Sequence, residues 1–322
     1  MRILRHTNAV EAAARGAVVT IGNFDGLHRG HAAVIAEAGR LARKIGAPRA
    51  VLTFEPHPRR FFQPGIAPFR LTPFRAKARR LAELGIEYMV NLRFDARLAG
   101  MEAEDFVRDV LVAGLGARHV VAGPGFVFGK GRRGDAATLE RLSAREGFGF
   151  TQVDPVRLGA DRCSSTAVRE LIGRGRVDEA AAALGRPWEM EGRVGPGDRR
   201  GRDLGMPTAN LALEGVLHPD PGVYAVRVGV PERAGIAWRD GAAYVGDRPT
   251  FGGDTLVLEV HLFDFDGDLY GRRLRVAFVK RVRADETFDG AEALAARMVA
   301  DCRSARRILA ATAEPASHPP AA

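Results

Sequence analysis

The sequence predicts an α/β chain in two parts: an N-terminal open parallel sheet, then a small antiparallel β-barrel followed by a helix. Three patterns carry this expectation. Up to about residue 185, short apolar runs alternate with amphipathic helical stretches, the signature of parallel strands joined by crossovers. Beyond it, short β-rich runs are separated by Gly, Pro and Asp turns with almost no helical periodicity, as in small barrels. Helical periodicity then returns over residues 290–309.

At 322 residues the chain has room for two domains, each able to bury its own apolar surface without disulfides. Its 46% hydrophobic and 27% charged content is that of a globular protein, and no apolar run approaches the ~20 residues that cross a bilayer, so no membrane partner is expected. The start Met1-Arg2-Ile3-Leu4-Arg5-His6 lacks the apolar core of a secretory signal. Cys163 and Cys302 are too few for a disulfide framework or a thiolate metal site, and a cytoplasmic location is expected. The net charge of +9 raises nucleic acid as a partner. Arginine is scattered, however, and lysine is confined to Lys44, Lys77, Lys130 and Lys280, with no row of interleaved aromatics. The excess charge fits a solvated surface that attracts anionic nucleotides; no nucleic-acid partner is expected, and the chain is read as a monomer or weak homo-oligomer.

Along the first part, residues 17–21 read as a short buried strand, 22–26 as a turn and 31–44 as an amphipathic helix. Strands follow at 50–54, 88–92 and 119–122, and helices at about 73–84 and 103–111. A helix-like run over 165–184 is stopped by Gly185-Arg186-Pro187, which puts the domain boundary at 185/186. The second part offers strands at 222–230, 243–245, 255–263 and 273–278. In the closing helix Leu294, Met298, Cys302 and Ile308 are available to pack on the barrel. The domains expected are 1–185 and 186–311, with the proline-bearing residues 312–322 as a disordered tail.

Directly after the first strand comes Gly22-Asn23-Phe24-Asp25-Gly26-Leu27-His28-Arg29-Gly30-His31. Parallel α/β sheets bind ligands beyond the carboxyl ends of their strands. Here glycine lets the backbone approach a phosphate, and the following helix turns its N–H groups and positive dipole end towards the anion. The spacing His-x-Gly-His lets His28 and His31 reach the same phosphate oxygens. Nucleotidyl transfer gathers negative charge on the α-phosphate and the departing pyrophosphate, so positioned donors and Mg²⁺ are the required catalysts. Gly22, Asn23, Phe24, Asp25, Gly26 and Gly30 are the phosphate-binding candidates beside the two histidines. Ser164-Ser165-Thr166-Ala167-Val168-Arg169 starts a predicted helix; its hydroxyls serve either as plain N-caps or, with Arg169, as holders of the β- and γ-phosphates.

Together with Thr53-Phe54-Glu55-Pro56-His57-Pro58, these motifs make residues 17–185 resemble the FMN adenylyltransferase module of the prokaryotic bifunctional riboflavin kinase/FAD synthetases, a Rossmann-like nucleotidyltransferase domain. The resemblance implies ATP as co-substrate with its phosphates on His28 and His31, FMN as acceptor and FAD as product. His57 and Phe62 become flavin-side candidates. That family usually has Asp or Asn before Phe-x-Phe-Gly, whereas this chain reads Gly123-Pro124-Gly125-Phe126-Val127-Phe128-Gly129. Phe126 and Phe128 are further flavin-side candidates, and Gly125 lacks the polar side chain. The departure raises an alternative in which an active kinase accompanies an impaired or altered adenylyltransferase.

The segment from Gly192 to Gly205 is too rich in glycine and charge for a core strand and reads as a phosphate-cradling loop or an exposed hairpin, with Gly201, Arg202 and Gly205 as phosphate candidates. Met206-Pro207-Thr208-Ala209-Asn210-Leu211 follows. It places a hydroxyl and a carboxamide two residues apart on one face of a strand, hard oxygens that suit Mg²⁺ shared with ATP phosphates. In Leu256-Val257-Leu258-Glu259-Val260-His261-Leu262, Glu259 is either an outward-facing strand carboxylate or a general base for an attacking hydroxyl.

With Pro221-Gly222-Val223-Tyr224-Ala225 and Gly246-Asp247-Arg248-Pro249-Thr250-Phe251, these features make residues 186–309 resemble the riboflavin kinase module of the same synthetases. The resemblance implies Mg-ATP on Thr208 and Asn210, Glu259 as catalytic base, riboflavin as substrate and FMN as product. It also implies Arg283, Glu286 and Phe288 in a flavin-side loop before the last helix. Met206 stands where Phe is usual and Tyr244 where Asn is usual, and neither removes a proposed catalytic group.

Overall fold

A computed structural model describes residues 1–6, 14–196, 206–212, 215–233, 235–250 and 253–312. The described residues divide into two compact units, Met1–Ala67 with Pro73–Cys163, and Pro68–Thr72 with the residues from Ser164 to Thr312.

In the first unit six strands form a parallel sheet: β1 Arg2–Leu4, β2 Val18–Ile21, β3 Arg49–Glu55, β4 Tyr88–Arg93, β5 His119–Ala122 and β6 Gly149–Gln152, in the order β1-β4-β3-β2-β5-β6. The central strands are near-continuous apolar runs because both faces are covered; all four residues of β2 are buried. From β2 the chain builds outward through β3 and β4, then returns to add β5 and β6 on the other side. The order therefore reverses at β2, and the carboxyl ends of β2 and β5 form the switch point at which open parallel sheets bind their ligands.

Helices α1 Arg29–Ile45, α2 Pro58–Phe62, α3 Phe74–Glu83, α4 Ala96–Ala99 and α6 Ala136–Glu146 pack around this sheet, and β7 Arg157–Leu158 pairs with β8 Asp161–Arg162. Between α4 and α6, α5 starts at Ala103–Asp105 and continues as a π-helix, Phe106–Gly114. An α-helix over 103–111 is the sequence expectation. The wider π turn instead aligns Phe106, Val110, Leu111 and Gly114 on the buried face.

In the second unit the single helical run expected over 165–184 is two helices, α7 Ser165–Gly173 and α8 Val177–Leu184. Gly175 breaks it. At φ +72 it adopts the left-handed conformation that glycine tolerates, and a Cβ there would lie 2.9 Å from the Arg281 guanidinium and 3.0 Å from Tyr224 Oη. Six antiparallel strands then close a barrel in the order β10-β13-β12-β11-β14-β9: β9 Trp188–Gly195, β10 Ala209–Ala212, β11 Gly222–Glu232, β12 Gly235–Thr250, β13 Gly253–Leu262 and β14 Arg273–Ala284. Alternate residues fill its interior, among them Tyr224, Val226, Val245, Leu258, Val260 and Phe278.

Gly192–Gly195, read from sequence as loop, belongs to β9. A Cβ on Gly192 would lie 2.9 Å from Leu211 Cβ, so the missing side chain is what lets β9 and β10 approach. Residues 197–205, including Gly201, Arg202 and Gly205, lie outside the described residues, as does the tail from 313. The segment Pro68–Thr72 is laced into this unit: the Trp188 indole N–H donates to Leu71 O at 3.0 Å, and Leu217 N–H donates to Arg70 O at 2.9 Å.

The last helix, α9 Ala291–Ala310, rests on the outside of the barrel through Ala305 and Leu309, with Cys302 and Ile308 beside them and Leu294 and Met298 half-buried. Asp301, an acid at an apolar position of the repeat, is also buried. Both its oxygens accept from Arg283 Nε, at 3.1 and 3.0 Å, and Arg297 lies 3.4 Å away. Asp301→Ala leaves the Arg283 guanidinium buried beside a lost counter-charge. It is expected to cost about 3 kcal/mol, measured as a lower thermal midpoint for the second unit.

Candidate active sites

The loop after β2 is held in an unusual backbone. Phe24 and Leu27 sit at φ 47 and 48 without being glycines, on either side of Gly26 at φ 88. Each such residue costs about 1–3 kcal/mol unless its surroundings over-determine it. Here the side chains of Phe24 and Leu27 are buried in one cluster with Ile35, Val51 and Leu81, and Gly22 N–H donates to Leu52 O at 3.1 Å. Packing thus fixes the loop before any ligand arrives. Asn23 and Asp25 ride on it, Asp25 buried and Asn23 half-buried.

His28 is the N-cap of α1, and its Nδ1 accepts the His31 backbone N–H at 3.3 Å. In the neutral ring the proton therefore sits on Nε2, which becomes a donor. The two imidazoles stack with centroids 3.8 Å apart. A Cβ at Gly30 would lie 3.1 Å from the His28 ring and 3.4 Å from the Cys163 carbonyl, which gives the glycine of His-x-Gly-His its reason.

On the other side of the switch point, a Cβ at Gly123 would lie 3.5 Å from Val34 of α1, so the loop after β5 runs against that helix. Gly125 has φ +72. Asn and Asp are the residues other than glycine that adopt this left-handed conformation most readily. The backbone at this position is therefore one that an Asn or Asp could adopt, and the side chain is what is missing. Arg162, hydrogen-bonded to Pro124 O, brings its guanidinium within 3.7 Å of the position that Cβ would take. Gly125→Asn is expected to leave the unfolding temperature nearly unchanged and to raise the rate of FAD formation from supplied FMN, measured by chromatography of the flavins.

The aromatic candidates are linked. Phe126 and Phe128 stack at 5.7 Å; Phe128 meets Phe106, Phe106 meets Phe54, Phe54 meets Phe94, and Phe94 meets Phe62 at 5.8 Å. Phe62, 64% exposed on α2, and Phe126 are thus the ends of one chain of rings, in which Phe128 is a core residue. Phe94 escapes a sequence reading, its one signal being an aromatic placed directly after β4. His57 caps α2, its Nδ1 accepting Arg59 N–H at 3.1 Å, and its ring is buried.

Ser164–Arg169 lies in the second unit. Ser164 caps α7, its Oγ accepting Ala167 N–H at 3.1 Å, with Ser165 and Thr166 in the first turn. Arg169 donates from Nε to Phe69 O at 2.8 Å and lies over the Phe69 ring.

The second site is assembled on the barrel wall by strand register. Asn210 of β10 stands opposite Glu259 of β13, which in turn stands opposite Tyr244 of β12. Residues directly opposite in an antiparallel pair project to the same face. Their neighbours Ala209, Leu211, Leu258 and Val260 are buried in the barrel, so this row faces outward. Thr208 Oγ1 donates to Glu259 Oε2 at 3.5 Å. Thr208 also lines a cavity of about 660 Å³, together with Val260, Leu262, Phe265, Asp268 and Tyr270 among others, whereas Asn210 and Glu259 stand outside its lining. Arg283 is bound to Asp301 and lies under the Phe288 ring, and Glu286 pairs with Arg283 and Arg297, so this predicted flavin-side loop is tied to α9.

Residues 10–167 match the family model described as FAD synthetase, and residues 184–309 match the one described as riboflavin kinase. The bifunctional riboflavin kinase/FMN adenylyltransferase of Escherichia coli K12 is 40% identical over 97% of this chain and 99% of that protein. The chain belongs to the bifunctional riboflavin kinase/FMN adenylyltransferase family. A Pseudomonas fluorescens protein of the same description is 41% identical over the same shares. A crystal structure from Streptococcus pneumoniae, described as a macrolide-efflux protein, matches this family member with a TM-score of 0.85 and 30% identity, covering 97% of this chain and 99% of that one. Among the described residues, no helix of this riboflavin kinase/FMN adenylyltransferase family member is long and apolar enough to cross a membrane.

Proposed function

We propose that the family's two reactions run at two separate sites of this chain, each consuming ATP. Riboflavin and ATP give FMN and ADP on the barrel wall; FMN and ATP give FAD and pyrophosphate at the switch point of the parallel sheet. The observation that carries this reading is the register row on the barrel, where Asn210 stands opposite Glu259 and Thr208, bonded to Glu259, lines a nucleotide-sized cavity.

In the kinase step Glu259 accepts the proton of the ribityl terminal hydroxyl as its oxygen attacks the γ-phosphorus and ADP departs. Thr208 and Asn210 supply neutral hard oxygens, a donor set that fits Mg²⁺ held jointly with phosphates. Bound there with ATP, the ion would neutralise phosphate charge. In the adenylyl step a phosphate oxygen of FMN attacks the α-phosphorus of ATP and pyrophosphate leaves. His28 Nε2–H and the N-terminal amides of α1 donate to the phosphate oxygens as charge builds. His31 completes the pair, and the chain of phenylalanines offers the flavin an apolar wall.

Incubating the protein with riboflavin, ATP and Mg²⁺ and separating the flavins is expected to yield FMN and then FAD. Absence of both products sinks the reading. Gly125 supports a second one, an active kinase with impaired adenylylation, which predicts FMN accumulating without FAD.

A further inference from the structure

We infer that Tyr244 is a flavin-side specificity residue of the kinase site, forming the wall between the base and the loop that follows β14. The inference rests on the kinase reading above and adds a residue that the sequence motifs leave outside the machinery.

The placement comes from register. Reading around the barrel on one outward row, Asn210 is opposite Glu259, Glu259 opposite Tyr244, Tyr244 opposite Val223, and Val223 opposite Arg283. Tyr244 therefore stands between the proposed base and the strand end that leads to Phe288. From β13 to β14 there are three strand spacings, roughly 14 Å along the wall. A ribityl chain in line with a three-ring system is of that order. Alternation excludes a core role for the phenol, since Ala243 and Val245 on either side fill the barrel interior while Tyr244 is half-buried outside. Tyr224, the tyrosine that does fill the interior, is fully buried, and burial pushes its hydroxyl up to about 12.

The orientation of the ring follows from Gly246. A Cβ added at Gly246 would fall inside the Tyr244 phenol, at its hydroxyl end. The ring therefore lies along β12 over the bare backbone of Gly246, beside Val257 and Glu259 on the neighbouring strand. Lying over Gly246 in this way, the ring forms part of the outward wall next to the base. A planar aromatic substrate gains most from such a surface through offset stacking, and Tyr244 stands on the far side of Glu259 from Asn210, away from the residue that would hold the ATP phosphates. The residue should thus act on riboflavin affinity and leave nucleotide affinity alone.

The test uses the full chain, with FMN formation measured against riboflavin and against ATP for the wild type, Tyr244→Ala, Tyr244→Phe and Tyr244→Asn. Tyr244→Ala is expected to raise the riboflavin KM about tenfold, the size of one aromatic contact, with the ATP KM within about twofold. Tyr244→Phe, which keeps the π face, should stay within about threefold of wild type, and Tyr244→Asn should resemble Tyr244→Ala. Should Tyr244→Ala fail to fold, the split between Tyr244→Phe and Tyr244→Asn carries the same information. An unchanged riboflavin KM in Tyr244→Ala or Tyr244→Asn, or a rise confined to the ATP KM, overturns the proposal while leaving the kinase reading intact. A wild-type chain that makes no FMN from riboflavin overturns the kinase reading itself.

Discussion

Glu259→Gln is expected to lower kcat for FMN formation by about 10²- to 10⁴-fold, the usual worth of a positioned general base. Glutamine keeps the size of the side chain and still accepts from Thr208 Oγ1, so the wall beside the cavity stays intact and the riboflavin and ATP KM values should move little. The missing function is proton acceptance alone. FAD formation from supplied FMN should persist within about twofold, because Glu259 belongs to the second compact unit and the His28 loop to the first. A loss smaller than about tenfold would mean that the wall acts by positioning and charge, which phosphoryl transfer allows, and that Glu259 is not the base.

His28→Ala is expected to do the reverse, lowering FAD formation from FMN by about 10²- to 10³-fold, the cost of removing one positioned donor to a developing anion, while FMN formation continues. The substitution also removes the cap of α1, worth about 1 kcal/mol, so activity and stability must be separated. His28→Asn does this. Asparagine restores a cap acceptor for the first turn but brings no imidazole Nε2–H to the switch point. It should recover the thermal midpoint without recovering FAD synthesis. Equal loss of both activities in a folded His28→Ala protein would rule out two separate sites.

Much of this arrangement is legible in local pattern. The alternation of apolar runs with helices gives the parallel sheet, and the His-x-Gly-His spacing falls at a strand-to-helix turn, where the structure has it. Period-two alternation around Thr208, Asn210 and Glu259 assigns each a face. It cannot assign them a common one, because that depends on the register between β10 and β13, strands far apart in sequence. The same limit hides the chain of rings from Phe62 to Phe126, every link of which but the last, Phe126–Phe128, is long-range. Glycine misleads in two directions. At Gly192 it marks the close approach of two strands where composition suggests loop, and at Gly175 it breaks a run whose periodicity continues on both sides. Asp301 is missed because a buried acid reads as a break in an apolar face until its arginine is known.

The lacing of Pro68–Thr72 into the second unit bears on how such a chain can be exchanged or inherited in pieces. A gene fragment beginning at residue 186 encodes every strand of the barrel but omits the acceptor of the buried Trp188 indole and the partner of Leu217. An orphaned buried donor costs about 1–3 kcal/mol, a sizeable share of a small domain's margin. Recombination at the apparent linker therefore yields a barrel with a built-in defect, and a graft of this kinase onto another protein needs either a supplied substitute for the 68–72 segment or a redesigned residue 188.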